Sequence, residues 1–202
     1  MKTSEDGLAE LRASEALRLH AYPDPASPLA RATPRKRWGF NSASVLMADL
    51  PAGIHRLSGE PWTLGYGNTF FNGRKVRPND ECTEAEADAN FRVTVAGFER
   101  GILESVHAPL NQKMFDALIN LEYNIGVAAF QRSTLVRMLN AGDYIGASGE
   151  FDRWVWAGGE PILAKRRNRE QAWFRDGIRE VIADQPAVLE AFNRFTDETD
   201  IA

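Results

Sequence analysis

Glu15-Ala16-Leu17-Arg18-Leu19-His20-Ala21-Tyr22-Pro23-Asp24 places two carboxyls on either side of a structural break. Upstream, residues 4 to 20 read as one helix. Ser4 can cap it, Glu5 and Asp6 occupy its first turn, and Leu8, Leu11, Glu15 and Leu19 follow one helical face. A carboxyl inside an apolar stripe costs desolvation energy, and the pattern does not say what offsets it. Downstream, Pro23, Pro25, Pro28, Pro34, Pro51 and Pro61 interrupt regular structure, with room for one short helix from Ser42 to Asp49. So long a loop in a compact domain is uncommon and usually functional. Trp38, Phe40, Val45, Leu46 and Met47 are too many apolar residues for a free linker, so an ordered or hinged flap is expected over 25–61.

Further along, residues 62 to 77 read as a β-hairpin or short sheet. Trp62, Thr63, Leu64, Tyr66 and Thr69 favour strand, and Asn72-Gly73 is a turn signal. Gly65 and Gly67 suggest the close approach of another backbone or a ligand. Thr83-Glu84-Ala85-Glu86 is a capping box opening a long helix to about residue 105. A second helix, Gln112 to Tyr123, is apolar nearly all round and is expected to be central. Ser133 to Asn140 forms a shorter helix ending before Gly142. Asp143 caps the next, to about Trp156. Another spans roughly Pro161 to Asp176, and a last runs from Asp184-Pro186 through Phe195. The predicted fold class is α+β, mainly α: a small N-terminal β region joined by one long helix to a helical lobe. A single domain of residues 1–202 is expected, with a helical extension at 177–202.

Composition narrows the function. The 202 residues carry a net charge of −4, so no general affinity for nucleic acid or anionic lipid is expected. The single cysteine, Cys82, precludes an internal disulfide or a thiolate cluster, and the three scattered histidines make a zinc site unexpected. No metal or cofactor is predicted. The N-terminus lacks an apolar h-region and no run suits a membrane span, so cytoplasmic synthesis without a signal peptide is expected.

The chemistry rests on Glu15, Asp24 and Thr63. Glycosidic cleavage needs a proton donor for the leaving oxygen and a carboxylate that activates water or attacks the sugar. A donor must stay protonated near neutral pH, which apolar burial achieves; Glu15 between Leu11 and Leu19 suits it. Asp24, in a proline-flanked turn, can stay solvated and ionised. Taken alone, a Glu on a helix and an Asp in a turn fit equally a Glu paired with an arginine and an Asp capping a turn.

Their spacing adds more. Glu15 through Tyr22 and Asp24, followed by Trp62-Thr63-Leu64-Gly65-Tyr66-Gly67, resembles the phage-type lysozymes, glycoside hydrolase family 24. Val76 to Glu86, Asp116 to Asn120 through Asn124-Ile125-Gly126, Ser133-Thr134-Leu135, Leu139 to Asp143 and Arg166-Arg167-x-x-Glu170 resemble that family's later motifs in the same order. The likeness spans about residues 8 to 175. It implies a lysozyme-like fold, Glu15 as general acid, Asp24 as the carboxylate that positions water, and Thr63 as the hydroxyl that helps hold it. It also implies substrate contacts at Tyr22 and Asn124, and at Arg166 or Arg167, one of which could meet Glu15. A plain surface patch is the alternative for that pair, since consecutive helix residues do not share a face. Ala16 replaces a usual glycine, Asn68 a frequent histidine, and Ile162-Leu163 a frequent Gly-Leu. The largest departure is residues 25–61, 37 residues where the family crosses in a few.

Among the aromatics, Trp154, Trp156 and Trp173 are expected in the core, whereas Trp62, Phe70 and Phe71 are candidates for a sugar platform. The Arg35-Lys36-Arg37 run reads as a solvated loop, with docking to anionic cell wall as the alternative. The implied reaction is hydrolysis of the β-1,4 bond between N-acetylmuramic acid and N-acetylglucosamine in peptidoglycan, by a monomer delivered through a holin-type pore or a secretion system. A lytic transglycosylase and a non-catalytic peptidoglycan-binding module are the alternatives. Phage lysis and bacterial weaponry both stay open.

Overall fold

The computed structural model describes residues 1–33, 53–183 and 186–199. Trp38, Phe40, Val45, Leu46 and Met47, the Arg35-Lys36-Arg37 run and the helix expected at Ser42–Asp49 lie outside the described residues. The chain divides into two compact units, Arg12–Thr94 and Met1–Leu11 with Val95–Ala202.

In the smaller unit, the helix expected over residues 4–20 stops early. Helix α1 is Glu5–Ser14, and Arg18–Pro23 is strand β1. The backbone groups that would have continued the helix are taken by strand partners. β1 pairs antiparallel with β2 (Trp62–Gly65), aligning Arg18 with Gly65, Tyr22 with Thr63 and Pro23 with Trp62. Four steps of β1 oppose two of β2 between those pairs, so β1 bulges. On its other side the Ala21 N–H donates to Asp80 O (2.8 Å) and the Cys82 N–H to Leu19 O (3.0 Å). Leu19 therefore belongs to a strand and does not share a helical face with Glu15.

Between β1 and β2, α2 (Pro28–Ala32) is capped by Ser27, and Ile54–Arg56 makes a 3-10 turn. The Leu29 N–H donates to Ser58 O (3.0 Å), so the two ends of the 25–61 segment are hydrogen-bonded to each other. Leu29 joins Trp62, Leu64, Phe71 and Val76 in the apolar core, with Ile54 packed against it. Strands β3 (Phe70–Phe71) and β4 (Arg74–Lys75) form the hairpin read from the sequence. Asn72 and Gly73 both have positive φ, 49° and 77°, as a type I′ turn requires.

Helix α3 (Glu84–Ser105) starts at the expected capping box. The Thr83 N–H donates to Glu86 Oε2 (2.8 Å), and the Glu86 N–H to Thr83 Oγ1 (3.2 Å).

In the larger unit, α4 (Gln112–Ile125) is central as expected, with every residue from Met114 to Glu122 buried, and it lies along α8 (Ala164–Val181). Asp116 of α4 accepts from the Ser4 N–H (3.0 Å), and Ser4 in turn caps α1 by accepting from the Gly7 N–H (3.0 Å). Helices α5 (Val127–Gln131), α6 (Thr134–Asn140) and α7 (Tyr144–Gly149) follow; Ser133 caps α6, and Asp143 caps α7 as expected. α5 has no counterpart in the sequence reading. The helix expected to reach Trp156 ends at Gly149 and continues as a 3-10 turn, Glu150–Trp154. Trp156 then falls just before the tight turn closed by Ala157 and Glu160 and is 63% exposed, so it is not a core residue. Helix α9 (Pro186–Thr199) packs back on α8 through Arg179, whose guanidinium sits 5.4 Å from the Phe192 ring centre.

Glu122, on α4, is fully buried. Neither of its carboxyl oxygens has a hydrogen-bond partner among the described residues. Gly101 leaves it room, since a Cβ there would come within 2.6 Å of Glu122 Oε1. Burial lifts its pKa from 4.5 to about 8.

Candidate active site

Glu15, Tyr22, Asp24 and Thr63 all belong to the smaller unit. Glu15 is the first residue past α1, and its N–H donates to Arg12 O (3.3 Å). Arg12 holds that helix end down by an ion pair with Asp88 and by stacking 5.1 Å over the Phe91 ring. Glu15 is half-buried at a helix end, not enclosed in an apolar helical stripe as expected. Its carboxyl lies against Gly67, where a Cβ would come 3.6 Å from Oε2. Gly67 has φ of 82°, which side chains disfavour, so this turn brings bare backbone to the carboxyl. Another backbone or a ligand was expected at Gly67; the neighbour within 4 Å of that position is instead the Glu15 side chain.

Asp24 is fixed through its backbone. Its N–H donates to Gly59 O (3.1 Å) and Pro61 O (3.0 Å). Its Oδ1 accepts from the Ala26 N–H (2.7 Å), a side-chain turn that favours Asp after a strand. Asp24 as a whole is half-buried.

Tyr22 joins these groups. It pairs with Thr63 across the β1–β2 ladder, so the two side chains share a face, and their hydroxyls are hydrogen-bonded. Burial pushes the Tyr22 phenol above its ordinary range, and the Glu15 and Asp24 carboxyls push the same way. Arg18, 5.6 Å over the Tyr22 ring, opposes them. Tyr22 therefore lies within the field of both acids and in contact with the hydroxyl at Thr63. Arg18 was missed in the sequence because it fell inside the expected helix, which stopped short of Tyr22.

The aromatics separate. Trp62 is only 4% exposed, wedged over Gly59 and Pro23, so its ring is core and not a sugar platform. Phe71 is buried as well, whereas Phe70 is 56% exposed and its ring is open to a ligand. Asn68, at the position of the family's frequent histidine, is buried and donates to Thr94 Oγ1 (3.0 Å).

In the larger unit, Arg166 and Arg167 do not form a surface patch. Both side chains are buried and both grip Glu170, through Arg166 Nε (2.9 Å) and Arg167 Nη1 (2.8 Å). Consecutive arginines reach one carboxylate because it lies four residues from one and three from the other. Burial pushes the Glu170 carboxyl up, and the two guanidiniums pull it back. Arg166 also donates to Asn120 O (3.1 Å), and Arg167 Nη2 to Asn124 Oδ1 (2.7 Å). A guanidinium can only donate, so the Asn124 oxygen must face it and the amide N–H groups stay on the exposed side. Among the described residues no cluster of His, Cys, Asp or Glu could hold a metal ion.

Two carboxyls and a hydroxyl on one small β unit, in a chain whose other unit is mainly helical, are the groups a lysozyme-like glycoside hydrolase requires. The phage lysozyme sequence profile matches residues 48–170, and the chain belongs to that family. It is 40% identical over 119 residues to the endolysin of Acyrthosiphon pisum secondary endosymbiont phage 1, covering 56% of this chain and 79% of that one. It is 31% identical over 176 residues to the endolysin of Salmonella phage P22, covering 86% of this chain and 98% of that one. The crystal structure of a P22 lysozyme mutant superposes with a TM-score of 0.62 at 30% identity, over 86% of this chain and 98% of that one. The fold is lysozyme-like, and the protein is a glycoside hydrolase of the lysozyme type.

Proposed function

We propose that this protein hydrolyses the β-1,4 bond between N-acetylmuramic acid and N-acetylglucosamine in bacterial peptidoglycan, with inversion, to lyse a host cell. Glu15 protonates the leaving oxygen, while Asp24 and Thr63 hold the attacking water on the opposite ring face. The observation that carries this reading is Tyr22, which bonds the Thr63 hydroxyl and lies in the field of both Glu15 and Asp24. A threonine hydroxyl on the strand paired with the one that leads into Asp24 suits a held water, and has no task if Asp24 attacks the sugar directly. Phe70 offers an apolar face to a sugar ring, and Asn124 offers amide hydrogens to an acetamido or carboxylate oxygen of the glycan. Arg166 and Arg167 serve through Glu170 and Asn124, which they hold in place.

No helix among the described residues is long and apolar enough to cross a membrane. A monomer that reaches the wall through a holin-type pore or a secretion system is consistent with that. Mass analysis of muropeptides after digestion tests the reaction. Reducing N-acetylmuramic acid ends are expected; anhydro ends would make the protein a transglycosylase, and undigested wall would make it a binding module.

A further inference from the structure

Tyr22 stands at the centre of the site without an assigned task, because a half-buried phenol already bonded to Thr63 is poorly placed for sugar contact. We propose that Tyr22 is a positioning residue whose phenol oxygen takes the single hydroxyl hydrogen of Thr63 and so fixes the Thr63 oxygen as an acceptor for the attacking water. This rests on the water-holding roles given to Asp24 and Thr63.

The argument is one of hydrogen counting. A threonine hydroxyl has one hydrogen and two lone pairs, and it rotates freely unless a partner fixes it. A water that attacks a sugar carbon must turn a lone pair toward that carbon. Its two hydrogens should then both go to acceptors. Asp24 supplies one, and the Thr63 oxygen can supply the other only if the Thr63 hydrogen is spent elsewhere. Left free, that hydrogen can point at the water, which must then turn a lone pair to Thr63 in place of a hydrogen. The phenol oxygen is the hydrogen-bonded partner available to take it, and the ladder pairing of Tyr22 with Thr63 sets the two groups side by side. Glu15 and Asp24 act on the phenol through their negative field, and a carboxylate is a stronger acceptor than a threonine oxygen for the phenol's own hydrogen. Burial and those two carboxyls keep the phenol neutral at working pH, so it retains that hydrogen. Arg18, stacked on the ring, limits its movement.

The test is a double-mutant cycle of Tyr22→Phe and Thr63→Val, assayed on soluble N-acetylglucosamine–N-acetylmuramic acid oligomers. Tyr22→Phe should lower kcat about tenfold, the size of one lost hydrogen bond, with KM unchanged. In the Thr63→Val background the same substitution should have no further effect. Thr63→Ser, which keeps the hydroxyl, should restore sensitivity to Tyr22→Phe. The proposal is overturned if Tyr22→Phe raises KM with kcat intact, or leaves activity whole, or costs the same factor without the Thr63 hydroxyl. Full activity of Thr63→Val would instead remove the water-holding role itself, and the proposal with it. Matching thermal midpoints across all the proteins compared separate these effects from misfolding.

Discussion

Glu122 makes the helical unit lose stability as pH rises through the neutral range, and the size of the loss follows from its burial. In the unfolded chain its carboxyl ionises near 4.5; in the fold it stays protonated to about 8. The native state therefore binds the extra proton between these values, and stability falls as pH rises across that window. Below 4.5 the effect vanishes, and above 8 both states are ionised and the loss is complete. Over about 3.5 pH units at about 1.4 kcal/mol each, the loss is on the order of 5 kcal/mol, with roughly half of it or more already incurred at pH 7. Glu122→Met conserves volume and removes the titrating group. Urea unfolding followed by tryptophan emission, at pH 5 and pH 7, measures both proteins. The stability difference in favour of the variant should widen by about 2.7 kcal/mol between those two values, or ~5–10 °C in Tm. If the two proteins instead lose or gain stability in parallel across that range, Glu122 is not buried as a neutral acid and the reasoning fails.

Three further outcomes are expected. Glu15→Gln should cut turnover of purified cell walls by ~10²–10⁴-fold while thermal unfolding is unchanged; near-normal turnover would remove Glu15 as the acid. Proton NMR should show the α-anomer as the first reducing end, and an initial β-anomer or a covalent adduct on Asp24 would mean retention. Phe70→Ala should raise KM for the glycan several-fold with kcat and stability nearly unchanged, since its exposed ring supports no core; an unchanged KM would show that the ring meets no sugar.

What could be read from the sequence was mostly local. The Thr83–Glu86 capping box, the cap at Asp143 and the Asn72-Gly73 turn each depend on residues within a few positions, and all appear where expected. β1 was misread because Leu11, Glu15 and Leu19 keep helical spacing. The alternation Arg18-Leu19-His20-Ala21-Tyr22 was also visible, but the partners that decide for strand lie at 62–65 and 80–82. Trp62 looked available for the same reason: Gly59 and Pro23, which bury it, meet it only in the fold. The shared grip on Glu170 was available in the sequence, since Arg166-Arg167-x-x-Glu170 contains both productive helical spacings. The Tyr22–Thr63 contact was not, because it joins positions 41 residues apart. The Asp24 turn was legible from its prolines, but the bonds that secure it come from the far end of the insertion.

Those bonds bear on how such a chain could lengthen during its history. The Asp24 N–H is latched to the carbonyls of Gly59 and Pro61, and Leu29 to Ser58, so the two stems of residues 25–61 are joined at their base. Closing a loop of 37 residues in place of one of about five costs only about 2 kcal/mol of chain entropy, because the cost grows with the logarithm of length. With the base stapled, added residues need not displace the acid at its foot. The segment is thus a tolerant graft point, where new sequence can accumulate without Asp24 having to be repositioned each time.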